Sequence, residues 1–411
     1  MSLLTLSEKV EKFTSSLGRP QNDEQNSAFD HLVGLDFPTS REEYWKYTRV
    51  GKIANGKFNL PSKGSENIEL SKWLISSNYI VLENGLLRED LSQYPEDVTI
   101  ELLDPEHRAG ININEDDIFT ALNSCYYDKV LRLSVPANVQ LAESVQLLLV
   151  GNDQRVMSSI RLSVEMGRSS SAELITTTFT ASGSGNFTNV VSDFHLAENS
   201  LLIVSSLQAE NESSLSVNTV QVRQERDSHF SMNTITLQGL LVRNNINIAV
   251  AGENCETHLN GAVVANGSMH VDNHTFVDHL VSNCFSNENY KYVLDDLSTG
   301  VFNGKVVVRP DAQQINAYQN NGNILLSDTS HIYSKPELEI YADDVKCSHG
   351  STTGQLDENA MFYLQTRGIS KENAKKMLVA AFIGEVIQKI RNQKFIELVH
   401  QGLRDFHQWK F

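Results

Sequence analysis

The 411-residue sequence is poor in cysteine and has no excess of basic residues, and both shortages narrow the classes of protein it can encode. Its four cysteines are scattered and never spaced C-x-x-C, so we expect reduced thiols in a reducing compartment and a cytoplasmic protein. Lysine and arginine number 34 against 51 acidic residues, giving a formal net charge of −17. This balance argues against a surface that neutralises nucleic-acid phosphates.

Long apolar runs and nucleotide-binding motifs are also missing. No uninterrupted apolar stretch reaches about 18 residues, so no membrane-spanning helix is predicted. The segment MSLLTLSEKVEKF lacks the basic and apolar regions of a secretory signal. No G-x-x-x-x-G-K-[ST] phosphate loop, G-x-S-x-G or H-E-x-x-H motif occurs, and the G-x-G at residues 183–185 is interpreted as a turn. We therefore expect that the chain does not hydrolyse ATP with a phosphate loop and has none of these hydrolytic motifs.

The N-terminal part of the chain has helical spacing followed by an aromatic cluster. Residues up to about 35 predict two helices that Pro20 separates. The stretch FPTSREEYWKYT follows and contains Tyr44, Trp45 and Tyr47. We interpret these aromatic side chains as a packing anchor, because such clusters more often serve a core than a ligand.

From about residue 136 to 345 the pattern changes to short alternating strands rich in Val, Ile, Thr and Leu. Polar breaks separate them at intervals of 12 or 16 residues, as from Asn199 to Asn211 and on to Asp227. Stacked coils or a β-sandwich would give such a repeat. The absence of amphipathic helices, the varied breaks and the lack of a strict six-residue repeat favour a right-handed parallel β-helix.

Helical spacing returns after residue 355. DENAMFYLQTRG predicts a short helix that ends at Gly368, and Ser370 is the predicted N-cap of one long helix to about residue 401. A helical cap on the end of a solenoid would be well placed to bind a partner. The sequence thus predicts a mainly β chain with a helical and mixed region at 1–135, a β-helix core at 136–352 and a C-terminal helical domain at 353–411.

One group of potential metal ligands lies in the segment MHVDNHTFVDH. On a strand, His270, Asp272 and His274 would point to one face, with successive members about 7 Å apart. Two imidazoles and a carboxylate can ligate zinc or iron. Strand neighbours are spaced more widely than a single-ion site prefers, so we interpret the group as structural, the solvated polar face of a half-buried strand, and leave metal binding open.

A second group lies in DDVKCSHGSTTGQLDE. Cys347 and His349 are two residues apart, so their thiol and imidazole would point the same way from one strand. Both are suitable ligands for iron, zinc or a cluster, and a second chain could complete the site. The spacing alone also fits a buried thiol beside a surface histidine.

Several segments between His270 and about Ile390 resemble the SufB/SufD family of iron–sulfur cluster assembly proteins. They are HVDNHTFVDH, VFNGKVVVRPDAQQINAYQNNGNILLSD, SKPELEIYADDVKCSHGSTTGQLDENAMFYLQTRGI and KMLVAAF. REEYWKYT is similar to the E-x-W-x-Y-T element near the family's N-terminus. The sequence CSHG and the absence of an N-terminal multi-cysteine motif place the resemblance nearer the SufD branch of the family.

The resemblance implies a parallel β-helix between helical regions and a non-catalytic scaffold role. It implies pairing with a SufB-like paralogue and docking of a SufC-like ATPase on the helices at about 356–390, with a homodimer as the alternative assembly of the isolated chain. His349 first and Cys347 second become the expected ligands at the paralogue interface. No permanently bound cofactor is expected, only a transient iron ion or iron–sulfur cluster shared with the SufB-like partner.

Two other functions are compatible with the residues. A β-helix can also form a polysaccharide-active enzyme, which would use carboxylates and basic residues on the coil surface. A purely structural partner of the SufB-like chain, without metal contact, is the other alternative. Co-purification with an ATPase separates the first from a scaffold, and iron titration with and without His349 separates the second.

Overall fold

The structure is a computed structural model that describes residues 6–62, 68–107 and 117–407. The ends of the two predicted terminal regions, at 1–5 and 408–411, lie outside the described residues. Within the described part, helices flank a long run of strands. The α-helices are α1 (Glu8–Thr14), α2 (Asp23–His31), α3 (Gly51–Ala54), α4 (Ile118–Tyr126), α5 (Glu358–Thr366), α6 (Lys371–Ile387) and α7 (Gln393–His407).

The strands are mostly about ten residues long and follow one another without intervening helices from β5 onward. They are β1 (Asn78–Glu83), β2 (Leu86–Leu87), β3 (Thr99–Leu103), β4 (Val130–Val135), β5 (Val145–Asn152), β6 (Met157–Met166), β7 (Ser171–Ser182), β8 (Phe187–Leu196), β9 (Leu201–Ala209), β10 (Leu215–Gln224), β11 (His229–Gln238), β12 (Leu241–Val250), β13 (Glu256–Ala265), β14 (His270–His279), β15 (Phe285–Leu294), β16 (Thr299–Val308), β17 (Ile315–Leu325), β18 (His331–Ile340) and β19 (Val345–Gly354).

Successive strands alternate between two sheets and so form a solenoid of about 8 turns. The first sheet has the order β19-β17-β15-β13-β11-β9-β7-β5-β1-β2, and the second has the order β18-β16-β14-β12-β10-β8-β6-β4-β3. Neighbouring strands are parallel, except where β2 pairs with β1 and β3 with β4. The predicted parallel β-helix between helical ends is confirmed.

One corner of each turn contains a residue in the left-handed conformation. These residues recur every 27 to 31 positions with φ between 54° and 64°, and backbone N–H groups at most of them donate to the next turn. Asn and Asp tolerate this conformation better than other non-glycine residues, which explains the polar breaks in the sequence. The corner residues are Asn138, Ser169, Asn199, Asp227, Asn254, Asn283 and Gln314.

Three apolar clusters hold the fold together. The largest lies between the two sheets and is formed by the inward side chains of the strands. A second lies on the outer face of the first sheet, where α6 packs on β13 and β15 and α7 packs on β9 and β11. A third joins α1, α2 and α4 to the starts of the even-numbered strands.

The C-terminal helices therefore cover a side of the solenoid and do not cap its end, which corrects the expectation of a terminal cap. Val379 and Ile383 of α6 contact an apolar stripe that includes Ala262 and Val293 on the outward side of the first sheet. Burial of this stripe favours the sideways position of the helices.

The C-terminal helices begin and end largely where the sequence indicates. Gly368 follows α5 with φ +84°, and the Ser370 hydroxyl accepts a hydrogen bond from the Asn373 N–H, so the predicted N-cap is confirmed. The prediction of one long helix after Ser370 is wrong, because α6 ends at Ile387. Asn392 starts α7 by accepting a hydrogen bond from the Phe395 N–H at 3.0 Å, and its amide also donates to Glu173 of the solenoid at 2.9 Å.

The division at residues 135 and 352 stays a prediction. Strands β1 and β4, inside the predicted N-terminal region, pair in parallel with β5 and β6 and continue both sheets of the solenoid. Strand β19 extends to Gly354, two residues past the predicted end of the core. In the described part of the chain, no helix combines the length and apolarity needed to span a membrane.

Candidate functional site

Strands β18 and β19 are the last strands of the two sheets and lie at the same end of the solenoid. We call this the open end. Each of these strands pairs with one neighbour, β16 or β17, and among the described residues nothing pairs with its other edge. Side chains along β19 are largely exposed. Backbone N–H and C=O groups of such an edge are available to a strand of another chain.

Cys347 and His349 lie on β19 and share its inward side. Cys347 packs against the core between the sheets and is in register with Ala317 of β17, whereas His349 is in register with Gln319. Both β17 residues are buried, while Cys347 is half-buried and His349 is exposed. Burial raises the pKa of the Cys347 thiol. The two predicted ligands therefore stand together at the rim of the open end.

The donor set at the rim fits a shared site better than a site within one chain. A thiolate and an imidazole suit iron or a cluster, but an ion of this kind takes about four ligands. In the described residues no group of three or more Cys, His, Asp and Glu side chains converges to hold a metal. The remaining ligands would have to come from another chain at the open edge.

A buried polar column runs inward from His349, and the sequence reasoning did not find it. Gln319 is next in register, and its side-chain amide donates to the Glu288 carboxyl group on β15 at 3.2 Å. The other Glu288 oxygen accepts a hydrogen bond from the Thr275 hydroxyl. Burial raises the pKa of Glu288 to about 7. The only sequence signal was the run of amides in INAYQNNGN, which alternation alone does not assign to an inward face.

The other predicted group, His270, Asp272 and His274, lies on the outward face of β14. Asp272 forms an ion pair with Arg243 of β12 in which the two side chains are 1% and 3% exposed. The Thr48 hydroxyl lies 2.8 Å from the His270 Nε2 and also donates to Asp272, while the His274 Nε2 lies 3.0 Å from Asp272 Oδ1.

Charge in this group is arranged around the carboxylate. Burial alone would raise the pKa of Asp272, but the charges of Arg243, His274 and His270 and the hydrogen bond with His274 together outweigh burial and lower the pKa below its usual range. Burial lowers the pKa values of His270 and His274, and the charge of Asp272 opposes that change. The group therefore acts as a buried ion-pair cluster that fixes the N-terminal segment. The expected solvated face is wrong, because residues 43–48 cover this side of β14 and bury Asp272 and His274.

Trp45, predicted as a packing residue, and Arg243, which the sequence did not reveal, complete this cluster. The Arg243 guanidinium lies 4.1 Å from the centre of the Trp45 ring and donates to the Tyr44 carbonyl at 3.0 Å. Arg243 is in register with Asp272 one turn away, so a known turn length would have paired them. The packing anchor predicted for residues 44–47 is confirmed for the buried Trp45 and is wrong for Tyr44 and Tyr47, whose rings are exposed.

The same N-terminal segment reaches the open end. Glu43 forms an ion pair with Lys335 of β18 at 2.6 Å, and the rings of Tyr47 and Tyr333 stack with centroids 4.1 Å apart. Residues 43–48 therefore join the buried cluster on β14 to an edge strand.

An apolar patch is exposed on the C-terminal helices. Phe362, Tyr363 and Met377 are 68%, 56% and 49% exposed. The Arg367 guanidinium lies 5.2 Å from the centre of the Tyr363 ring. Large apolar side chains grouped in this way on a surface are typical of a protein interface.

The family model described as "SUF system FeS cluster assembly, SufBD core domain" matches residues 149–382, which is more than half of the chain. The chain belongs to this SufB/SufD family.

Individual relatives agree with the family. An iron–sulfur cluster assembly SufBD family protein of Synechocystis is 28% identical over 89% of this chain and 86% of its own length. The iron–sulfur cluster assembly protein SufD of Escherichia coli is 25% identical over 92% of this chain and 90% of its own length. A SufBD family protein of Mycobacterium leprae is 36% identical over 38% of this chain and 42% of its length. This chain is therefore similar to SufD-type proteins along almost all of its length.

Proposed function

We propose that this chain is a non-catalytic scaffold subunit of an iron–sulfur cluster assembly complex. It pairs with a SufB-like paralogue at the open end and takes part in iron acquisition and cluster assembly at that interface. The observation that carries the proposal is the position of Cys347 and His349, which stand together on an unpaired edge strand. Iron or a nascent cluster is the cargo of this site, not a resident cofactor.

The two edge strands are not equally suited to pairing with another chain. Pro336 interrupts the hydrogen-bonding groups of β18, as prolines do on edge strands that are protected from association. No proline occurs in β19. We therefore infer that β19 makes the main backbone contacts with the paralogue, which brings the partner's ligands next to Cys347 and His349.

A SufC-like ATPase would dock on the patch formed by Phe362, Tyr363 and Met377. The absence of a phosphate-loop motif from the sequence agrees with a division of labour in which a partner hydrolyses ATP. Movement of the ATPase would reach the open end through α6, because α6 packs on β13 and β15.

Family membership favours this role over a polysaccharide-active enzyme. No disulfide joins the four cysteines, all of which lie within the described residues, and this fits the cytoplasmic location proposed for an iron–sulfur scaffold.

Pairing at the open edge is tested by Ser351→Pro. The Gln314 N–H donates to the Asp344 carbonyl, so the backbone N–H and C=O groups of even-numbered residues in β19 point toward β17. The N–H and C=O groups of odd-numbered residues therefore point to the open edge. Proline at 351 removes one open-edge N–H, and Gly350 before it accommodates the ring. We expect at least about ten-fold weaker binding of the paralogue, since one edge hydrogen bond and strand fit are lost together.

The matched control is Ser351→Ala. It removes the hydroxyl that lies 2.7 Å from the Ser334 Oγ but leaves the backbone N–H in place. Binding should be measured by interferometry between the purified chain and the SufB-like protein. Equal affinities for the proline and alanine variants would contradict pairing through β19.

ATPase docking is tested by Phe362→Ser. Because 68% of this side chain is exposed, the change should alter stability by no more than about 0.5 kcal/mol. It should reduce recovery of the ATPase with the tagged chain while leaving recovery of the paralogue unchanged. Tyr94→Ser, at another exposed ring (41% exposed), is the control. Unchanged ATPase recovery from the Phe362 variant would place the docking surface elsewhere.

A further inference from the structure

Gln319 contains a buried acceptor with no hydrogen-bond partner among the described residues. Its side chain is 3% exposed, and its Oε1 atom has no donor within reach. Leaving such an atom unpaired is unfavourable, so buried amides usually have both their oxygen and their nitrogen hydrogen-bonded. The unpaired atom therefore indicates a donor that is not yet in place.

A hydrogen bond from the Gln319 nitrogen fixes the orientation of the side-chain amide. The Nε2 group donates to Glu288 Oε1 at 3.2 Å, and Thr275 donates to the remaining Glu288 oxygen. The oxygen and nitrogen diverge from the same amide carbon, so the nitrogen that donates to Glu288 leaves the Gln319 oxygen to bond elsewhere. The next member of the same inward column is His349 on β19.

A glycine in the opposite sheet makes room for this amide. Gly304 of β16 faces the interior, and a Cβ atom there would lie 3.0 Å from Gln319 Nε2 and 2.7 Å from the Phe302 ring. A larger residue at 304 would displace the Gln319 side chain. The column of Glu288, Gln319 and His349 is thus built by both sheets.

We propose that Gln319 is a positioning residue for His349: its Oε1 accepts a hydrogen bond from one imidazole N–H when a partner chain covers the open end. This hydrogen bond holds the ring in one tautomer and presents the other nitrogen to the metal. Ligating histidines in proteins commonly have such a second hydrogen bond, which fixes the ring and strengthens it as a ligand. The proposal rests on the ligand role of His349 given above and adds Gln319 and Glu288 to the site.

Metal binding by the complex of this chain with its SufB-like and SufC-like partners tests the proposal. Cobalt(II) serves as the probe, because its absorption bands report both affinity and coordination. Gln319→Met conserves volume and removes the acceptor, and we expect about 10–100-fold weaker cobalt binding at the His349 site. The double variant Gln319→Glu with Glu288→Gln restores an acceptor beside His349 and keeps a hydrogen bond between positions 319 and 288, so we expect it to recover most of the affinity.

Asn321→Leu is the control for loss of a buried amide. Asn321 lies two residues further along β17 and is in register with Ser351, so its removal should leave cobalt affinity within about three-fold of wild type. His349→Ala separates the positioning role of Gln319 from the ligand role of His349. If His349→Ala weakens binding and Gln319→Met does not, the positioning role is overturned while the scaffold proposal stands. If His349→Ala has no effect, the ligand role itself fails.

A second measurement does not depend on the folding of Gln319→Met. In the wild-type complex with ¹⁵N-labelled histidine, the signals absent from His349→Ala belong to His349. We expect the two ring nitrogens to have the distinct shifts of a single neutral tautomer. Averaged shifts, as in a freely exchanging imidazole, would overturn the proposal.

Discussion

Replacing Asp272 with alanine should destabilise the fold by about 3–5 kcal/mol, the range found when one member of a buried ion pair is removed. The carboxylate is 1% exposed, and without it the Arg243 guanidinium would remain buried beside Trp45 without its ion-pair partner. The Thr48 hydroxyl would lose an acceptor as well. Urea unfolding followed by circular dichroism measures the change.

The directions of the pKa shifts in this cluster determine the pH at which unfolding should be measured. The pKa of Asp272 lies below its unfolded value of about 3.9, so its stabilising contribution is present above that pH and is lost only in stronger acid. Burial lowers the pKa values of His270 and His274, so at pH 8 both are neutral in the folded and unfolded states. At pH 8 the difference between wild type and Asp272→Ala therefore reports the carboxylate.

Asp278→Ala is the matched control. Asp278 lies on the same strand and the same outward face, but its partner Arg309 is 47% exposed, so the loss should be about 0–1 kcal/mol. Arg243→Met combined with Asp272→Ala should cost less than the sum of the two single changes, because each removes the same pair. A loss from Asp272→Ala no larger than that from Asp278→Ala would contradict the ion-pair cluster.

The ion pair has a consequence beyond stability, because it fixes residues 43–48. That segment also contacts β18 through Glu43 with Lys335 and Tyr47 with Tyr333. Release of the segment from Arg243 would free these contacts at the open end. The histidine-rich motif on β14 therefore supports the proposed interface from a distance and needs no metal to do so.

The sequence predicts the strands well and the turn length poorly. Alternating apolar residues define each strand, but the connections between strands vary in length, so the polar breaks recur at irregular intervals such as 12 and 16 residues. Only the sum of two intervals approaches the spacing of 27 to 31 residues between corner residues such as Asn199 and Asp227. With that spacing, Arg243 and Asp272 fall in register, and their pairing could be inferred from sequence.

The C-terminal helices pack where the strands are apolar on their outward face as well as on their inward face. Strands β13 and β15 contain consecutive apolar residues, such as Ala262 to Ala265, and this pattern indicates a strand covered on both faces. Their alternating residues alone predict only that these strands belong to a β-helix. The apolar residues on the outward face of these strands are the sequence signal for the position of α6. They predict helices on the side of the solenoid and leave its end open.

The candidate site is likewise predictable from the sequence only in part. Spacing alone places Cys347 and His349 on one side of a strand, and the structure confirms that. The order of the strands in the sheet makes β19 an edge strand and places Gln319 and Glu288 on the strands behind it. Contacts between residues about 30 positions apart in sequence decide this order, so local patterns do not show it.

Replacing His349 with alanine should abolish most iron and cluster binding by the assembled complex while leaving the complex intact. Loss of a residue that only supports a ligand costs about 10–100-fold in affinity, so loss of the ligand should cost about 100-fold or more. His331→Ala is the matched control, since it removes an exposed histidine from β18 at the same open end. Reconstitution with iron(II) and sulfide, followed by absorption spectra, compares the variants. Cys347→Ala should reduce the yield less, because the exposed imidazole reaches a partner's site more readily than the half-buried thiol, whose pKa burial raises. Equal cluster yields from wild type, His349→Ala and His331→Ala would reduce this chain to a structural partner without a ligand role.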